Sequence, residues 1–476
     1  MPRLLLILLV VLQCSLATVR ADEVDDFVQG QMRKNQITGL SLAVVRAGKV
    51  VKSKGYGVAD VELGAPVTED TVFEIASMSK QFTAGGVLLL AQDGRLSLDD
   101  SVTKYLSGLP ESHNAVTIRH LMNHTSGVRD YIEEFPLERR LDYTDQEIIK
   151  RVAEAGLNFP PGEDARYSTT GYLLLGMIIE RVTGKPYGEF LRERIFVPLG
   201  MSRTRVISLS EIIPNRATGY VLEDGSLRHG KYVAQTLRAS ADIGLLSTAL
   251  DLAKWDAALY ADKIFSKSSL DLMFTPARLN NGTHAYNGWN GHFGLGWFVD
   301  DYRGHREINH GGTLITGFHS NISRFVDEGL TVIVLTNRLR SNPWLIGYQI
   351  AGMYSPALRP PHVLKEQTET NPQRSRMLRQ FLSDVANGVK DSPHMSPGLR
   401  TRLTTDNRSE VEAILKELKS FSHIACSDVE RRGVTCIGAT VSRLCDYKAV
   451  GGRKTHYFTF YLTPEDRVAD MWIYSY

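Results

Sequence analysis

Two regions with strand-like alternation lie far apart in the chain, and mostly helices and loops separate them. The sequence predicts strands at residues 39–46, 49–57, 315–324 and 330–336. The first two strands form a hairpin. Because a strand must pair with others around a shared core, we expect one mixed sheet, closed by the two ends of a single large α/β (α+β) domain.

The stretch between these strands contains two predicted helices. Residues 77–92 have apolar side chains at helical spacing and stop at Asp93 and Gly94, a typical helix end. Residues 169–182 are apolar almost all round, which predicts a buried helix.

The composition changes after residue 355, and this change predicts a second domain. Residues 356–372 are rich in proline and polar side chains without periodicity, as linkers are. Residues 373–476 then predict two amphipathic helices and two strands, a small C-terminal α+β domain. We assign residues 22–355 to the first domain. We expect the second to be dispensable for the chemistry, with partner binding, dimer contact or shaping of access to the cleft as its role.

The first residues have the features of a secretory signal. A basic start precedes an aliphatic run from Leu4 to Leu12, and Ala21 stands where a signal peptidase would cut. The run is shorter than the roughly 20 residues that a membrane-spanning helix needs. We therefore expect residues 1–21 to be removed and the mature protein to be periplasmic or secreted, without a transmembrane segment.

Composition and missing motifs exclude several classes of protein. Lys and Arg number 55 against 53 Asp and Glu, whereas a dedicated nucleic-acid binder normally has a basic excess. The sequence has no zinc, P-loop or complete dinucleotide-binding motif, so we expect no metal, no cofactor and no nucleic-acid partner. Cys426, Cys436 and Cys445 allow one disulfide and one thiol, and their pairing stays open.

A Ser-x-x-Lys tetrad at residues 77–80 opens the first predicted helix. Residues three apart share a helix face, so the Ser77 hydroxyl and the Lys80 amine can meet. Burial favours the uncharged form of a lysine, which can then accept a proton from the serine. Ser77 and Lys80 are therefore candidate catalytic residues. The second tetrad, at residues 101–104, is interpreted as a capped surface segment.

Two further motifs supply the other parts that such a serine hydrolase needs. Tyr167 precedes the buried helix and can act as a proton shuttle. The motif at residues 310–313, His-Gly-Gly-Thr, comes just before a predicted strand. A strand edge at that point can donate backbone N–H groups to a developing oxyanion.

These motifs and their contexts resemble the class C β-lactamase-like serine hydrolase superfamily, which includes β-lactamases, penicillin-binding DD-peptidases, D-aminopeptidases and esterases. The resemblance covers about residues 25–350 and does not include the C-terminal domain. Further matching stretches are residues 124–127, 159–176, 197–201, 244–248 and 293–297. The resemblance implies a β-lactamase/transpeptidase-like fold: a mixed antiparallel sheet flanked by helices, plus a helical subdomain.

The resemblance also implies catalytic roles. Ser77 would be the acylated nucleophile, and Lys80 and Tyr167 would exchange its proton. The backbone N–H groups of Ser77 and Thr313 would form the oxyanion hole.

Substrate binding, by the same resemblance, would involve His310, Gly311, Gly312, Thr313 and Thr169. His310 stands where lactamases have a lysine, and Thr169 where many members have an asparagine. Threonine lacks an amide group and histidine is mostly neutral at pH 7. Both departures argue against efficient β-lactam hydrolysis.

We expect an exported serine hydrolase that acts on a small-molecule or peptide substrate through an acyl-enzyme. Its substrates would be amides or esters, as for DD-peptidases, D-aminopeptidases or esterases. The alternatives are a β-lactamase, or a protein on the same fold that binds penicillin or cell-wall fragments without turnover. The oligomeric state is left open.

Overall fold

The computed structural model describes residues 21–261, 263–285, 291–389, 391–396, 399, 405–428, 441–451 and 454–475. The expected signal sequence before Ala21 and the side chain of Cys436 lie outside these residues. None of the described helices has the length and apolar character needed to cross a membrane.

The helices are α1 (Ala21–Asn35), α2 (Ser79–Gln92), α3 (Ile118–Met122), α4 (Asp145–Ala155), α5 (Thr169–Thr183), α6 (Tyr187–Leu191), α7 (Gln235–Arg238), α8 (Ala249–Ala258), α9 (Lys267–Met273), α10 (Pro343–Tyr354), α11 (Pro372–Ala386) and α12 (Thr405–Lys416). The strands are β1 (Gly39–Arg46), β2 (Lys49–Asp60), β3 (Ala65–Pro66), β4 (Phe73–Glu74), β5 (Arg205–Val206), β6 (Tyr220–Glu223), β7 (Ser226–His229), β8 (Leu245–Ser247), β9 (His292–Phe293), β10 (Phe298–Tyr302), β11 (His305–Leu314), β12 (Phe318–Phe325), β13 (Leu330–Thr336), β14 (Leu418–Asp428), β15 (Arg443–Gly451), β16 (Lys454–Leu462) and β17 (Val468–Ser475).

An eight-stranded sheet forms the centre of the described first domain, in the order β3-β2-β1-β13-β12-β11-β10-β9. Its strand pairs are antiparallel. β1 pairs with β13 from Leu40↔Thr336 to Arg46↔Leu330. This pairing confirms that one sheet joins the N-terminal hairpin to the last strand of the domain.

The sheet lies between two layers of helices. Leu42 and Val44 of β1 belong to the core that contains α1 and α10, whereas Ala43 and Val45 belong to the core that contains α2, α5 and α8. Because side chains alternate along a strand, both faces of the sheet are buried.

The observed elements differ from the predicted ones at two places near the candidate site. The motif at residues 310–313 does not precede a strand but lies within β11, and residues 315–317 form the turn before β12. The predicted helix at 77–92 begins as a 3-10 turn, Ala76–Met78, before α2. The local sequence does not reveal either change.

The C-terminal domain contains α11, α12 and a four-stranded antiparallel sheet in the order β14-β15-β16-β17. The two helices, β16 and β17 confirm predicted elements, whereas β14 and β15 were missed. Cys426 and Cys445 face each other on β14 and β15 and form a disulfide. The boundaries of the linker at 356–372 stay a prediction.

The turn between β10 and β11 contacts the C-terminal domain. Two nitrogens of Arg303 donate to the two carboxylate oxygens of Asp446, at 3.0 and 2.9 Å. The Arg303 backbone N–H also donates to Tyr461 Oη at 2.9 Å, and that hydroxyl donates to the carbonyl oxygen of Asp301 at 3.0 Å. The two domains therefore share a buried polar contact.

Candidate active site

Ser77 lies on a tight turn that leads into α2. Ala76 precedes it with a φ of 51°, a left-handed conformation that costs a non-glycine residue about 1–2 kcal/mol. Ala76 and Met78 are buried, whereas Ser77 is partly exposed. The two buried neighbours hold the turn in place, and the Ser77 hydroxyl is left accessible.

The amine of Lys80 lies next to that hydroxyl. Lys80 Nζ is 3.2 Å from Ser77 Oγ and donates to the carbonyl oxygen of Asp242 at 3.0 Å. The Lys80 side chain is fully buried. Because a carbonyl oxygen can only accept, one N–H is directed at Asp242 and the remainder of the amine can face Ser77. The structure thus brings the two residues of the tetrad together.

The second tetrad has no such arrangement. The Ser101 hydroxyl accepts a hydrogen bond from the backbone N–H of Thr103 at 3.3 Å and caps a short 3-10 helix. Lys104 is 57% exposed and pairs with Asp100 at 2.9 Å. This confirms the interpretation of residues 101–104 as a capped surface segment.

A buried carboxyl group that the sequence analysis missed lies behind Lys80. Asp242 is fully buried and accepts a hydrogen bond from Tyr131 Oη at 3.0 Å. Burial raises the pKa of Asp242 because a carboxylate loses its hydration, and the positive charge of Lys80 opposes this rise. The contact with Tyr131 fixes the segment whose carbonyl oxygen orients Lys80. An acid directly before the apolar residues 243–246 was the available sequence signal.

Tyr167 stacks on His124. Their ring centres are 4.4 Å apart with planes inclined by 26°, and the Tyr167 ring centre lies 5.1 Å from Lys80 Nζ. His124 Nδ1 accepts from the backbone N–H of Ser168 at 3.1 Å. Burial, together with the charge of Lys80, holds the pKa of His124 well below its ordinary value. His124 is therefore a neutral, flat support for Tyr167.

This supporting role was not assigned from the sequence. His124 belongs to the matching stretch at 124–127, and its presence there was the signal that could have drawn attention to it. Its contact with Tyr167 joins residues more than forty positions apart, so no local pattern predicts it.

The motif at residues 310–313 lies on an open edge of β11. Pairing with β10 ends at Phe298↔Asn309, whereas β12 follows β11 as far as Leu314↔Phe318. In the described part of the sheet, the backbone beyond Asn309 therefore has a strand on one side only. A strand edge of this kind beside the nucleophile can donate N–H groups to an oxyanion.

His310 is buried and neutral. Burial, which removes the hydration of a charged imidazole, and the charge of Lys80 together lower its pKa to about 3. Its Nδ1 lies 2.6 Å from the carbonyl oxygen of Gly311, which can only accept, so Nδ1 carries the proton. Nε2 is then an acceptor. His310 offers a neutral acceptor where a lysine would offer a positive charge.

Thr169 is a sequence-predicted substrate-binding residue that this geometry does not bring to the cavity of Ser77. It begins α5, is buried, and its backbone N–H donates to Asp130 Oδ2 at 2.5 Å. It is not among the described residues that line the cavity containing Ser77. Its role in substrate binding stays a prediction.

A cavity of about 740 Å³ opens at Ser77. The first domain and the C-terminal domain both line it: on the one side Ser77, Tyr167, His310, Gly311, Gly312 and Thr313, with Trp344 and Leu345 of α10, and on the other Glu410, Trp472 and Ile473. Among the residues that the structure describes, no group of three or more His, Cys, Asp or Glu side chains is placed to hold a metal ion.

We expect Gly312→Ala to lower kcat/KM for a small ester by about 10- to 100-fold, an effect known for displacements near 1 Å. A Cβ at Gly312 would lie 2.3 Å from the carbonyl oxygen of Ile75, so β11 would have to move away from the turn that carries Ser77. Gly311→Ala is the matched control, because its Cβ would meet no atom closer than 3.5 Å. Steady-state kinetics of the two folded variants tests this, and equal activities would contradict it.

Known proteins share the sequence of the first domain. A family model described as Beta-lactamase matches residues 24–345. Penicillin-binding protein 4* of Bacillus subtilis (strain 168) is 36% identical over 322 residues, which cover 64% of this chain and 69% of that protein. The putative penicillin-binding protein PbpX of the same organism is 29% identical over 301 residues, which cover 63% of this chain and 70% of that protein.

Solved structures share the fold. D-amino acid amidase from Ochrobactrum anthropi SV3 has 31% identity and a TM-score of 0.56, covering 66% of this chain and 91% of its own. The octameric penicillin-binding protein homologue from Pyrococcus abyssi has 24% identity and a TM-score of 0.61, covering 93% of this chain and 96% of its own. These similarities agree with the β-lactamase/transpeptidase fold expected from the sequence. The chain belongs to the Beta-lactamase family.

Proposed function

We propose that this protein is a serine hydrolase that forms an acyl-enzyme on Ser77 with amide or ester substrates. The observation that carries the proposal is the 3.2 Å distance between Lys80 Nζ and Ser77 Oγ, beside a cavity that the open edge of β11 borders. The relation to penicillin-binding proteins and the structural similarity to D-amino acid amidase support the same reaction class.

The proposed reaction uses the buried Lys80 amine and groups that line this cavity. The Lys80 amine, in its uncharged form, takes the proton of Ser77, and Oγ attacks the substrate carbonyl carbon. The backbone N–H groups of Ser77 and Thr313 stabilise the negative charge that develops on the carbonyl oxygen. Tyr167 passes the proton to the leaving amine or alcohol. Water then attacks the acyl carbon and gives a proton to the Lys80 and Tyr167 pair; the bond between that carbon and Ser77 Oγ breaks, Oγ takes the proton back, and the acid product is released.

The proposed substrates are peptides or amides of D-amino acids, or small esters. Neutral His310 supplies no positive charge next to the nucleophile, so it favours substrates without a carboxylate at that place over penicillins and cephalosporins. The second candidate is penicillin hydrolysis, or penicillin binding without turnover, which the 36% identity to a penicillin-binding protein favours. A long-lived acyl-enzyme with penicillin would identify that candidate.

Export and domain division are parts of the proposal. We propose that residues 1–21 direct the protein out of the cytoplasm and are removed. We also propose that residues 22–355 carry the chemistry and that residues 373–476 shape access to the cavity, which Trp472 and Ile473 help to line.

A fluorophosphonate probe is expected to modify Ser77, because this hydroxyl is the one beside a buried amine. Peptide mapping by mass spectrometry locates the label, and Ser77→Ala should abolish it. Unlabelled wild-type and Ser77→Ala proteins are assayed with D-amino acid anilides, p-nitrophenyl esters, D-alanyl-D-alanine peptides and nitrocefin. Labelling of Ser79 or Ser101, or full turnover by Ser77→Ala, would refute the assignment.

A further inference from the structure

The cavity that contains Ser77 includes a wall built by the C-terminal domain. Trp472 lies on β17, the edge strand of the four-stranded sheet, and Glu410 lies on α12. Both residues line the cavity, as does Trp344 at the beginning of α10. The packing of the two domains thus brings a carboxyl group and two indole rings to the cavity of the candidate nucleophile.

Glu410 brings a carboxyl group to the wall of this cavity. It is the only Asp or Glu among the described residues that line the cavity. Within those residues it makes no ion pair, and burial raises its pKa because the carboxylate loses its hydration. Burial lowers the pKa of His310 to about 3 and that of His319 to about 4, so neither histidine of the cavity balances the charge at pH 7.

The indole rings of Trp344 and Trp472 suit a cationic ligand, as the carboxyl group of Glu410 does. Trp344 is 38% exposed and Trp472 is partly exposed, so both rings can contact a bound molecule. An indole face attracts a cation within about 6 Å of its centre. A carboxylate together with aromatic faces is a combination that suits a weakly hydrated alkylammonium group.

We infer that Glu410, Trp344 and Trp472 form a subsite for an alkylammonium group of the substrate. The inference rests on the proposed function, because it assigns the cation to the amide or ester that Ser77 attacks. It narrows the substrates to those that carry an ammonium group away from the scissile carbonyl.

Two esters that differ only in charge test the subsite. These are p-nitrophenyl 6-(trimethylammonio)hexanoate and its neutral isostere p-nitrophenyl 7,7-dimethyloctanoate. We expect the wild type to prefer the cationic ester by about tenfold in kcat/KM, and Glu410→Gln to reduce this ratio to roughly twofold or less. Glu412→Gln is the matched control, because Glu412 lies on the same helix and pairs with Lys416. It should keep the wild-type ratio.

A binding measurement separates failure of the subsite from failure of the proposed function. Calorimetry with hexyltrimethylammonium on Ser77→Ala protein needs no turnover. If Glu410→Gln weakens hexyltrimethylammonium binding about tenfold, the result supports the subsite, even if neither ester is hydrolysed. A lack of hydrolysis of both esters would refute only the proposed reaction. Ester turnover without a preference for the cation, or equal hexyltrimethylammonium binding with and without Glu410, would overturn the inference.

Discussion

Lys80→Ala is expected to slow acylation of Ser77 by about 10²- to 10⁴-fold, the usual contribution of a general base. The Lys80 amine is within hydrogen-bond distance of Ser77 Oγ and is fully buried, so water cannot readily replace it as proton acceptor. Stopped-flow measurement of the p-nitrophenol burst gives the acylation rate directly. Lys80→Met should show the same loss, and it fills more of the space that alanine leaves empty.

The chain contains its own control for this experiment. Lys104 belongs to the second Ser-x-x-Lys tetrad, is 57% exposed and pairs with Asp100. Lys104→Ala should therefore acylate at the wild-type rate. A folded Lys80→Ala protein with near wild-type acylation would mean that Tyr167 alone acts as the base.

Arg303→Ala is expected to lower the free energy of unfolding by about 3–5 kcal/mol, the typical loss when one partner of a buried ion pair is removed. Arg303 and Asp446 expose only 6% and 2% of their side chains. The remaining hydrogen bond to Asp446 from Thr459, at 2.6 Å, cannot compensate a buried negative charge. Urea denaturation followed by fluorescence measures the loss.

An exposed pair with similar geometry provides the control. Arg119 donates to both oxygens of Asp99, at 2.8 and 3.1 Å, but the two side chains are 35% and 70% exposed. Arg119→Ala should cost no more than about 1 kcal/mol. Equal losses in the Arg119 and Arg303 variants would show that burial at the domain contact has no special effect. The double change Arg303→Met and Asp446→Leu should recover part of the stability, because it leaves no buried charge.

The proximity of Ser77 and Lys80 could be predicted because it is local. Three residues separate them, and one helical turn brings such residues to the same face. The contact survives although the first residues form a 3-10 turn. The contact of His124 with Tyr167 and that of Asp242 with Lys80 could not be predicted in this way, because each joins segments that are distant in the sequence.

β11 was not predicted, because its glycines favour a turn when only local sequence is considered. The structure shows a different reason for a glycine at position 312: the carbonyl oxygen of Ile75 approaches so closely that a side chain would not fit. β14 was missed because register shifts between Leu418 and Ser420 and between His423 and Ala425 interrupt the alternation of side chains. A bulge changes which face each later residue occupies, so the period of two disappears from the sequence.

The pairing of β1 with β13 determines when this domain can fold. On the side of β1 that faces away from β2, all backbone partners lie between Leu330 and Thr336. A ribosome must therefore synthesise nearly the whole domain before the central sheet can close. Contacts between such distant segments slow folding. Until β13 is available, β1 exposes an unpaired hydrophobic edge that can pair with other chains. We therefore expect the nascent protein to be prone to aggregation for most of its synthesis.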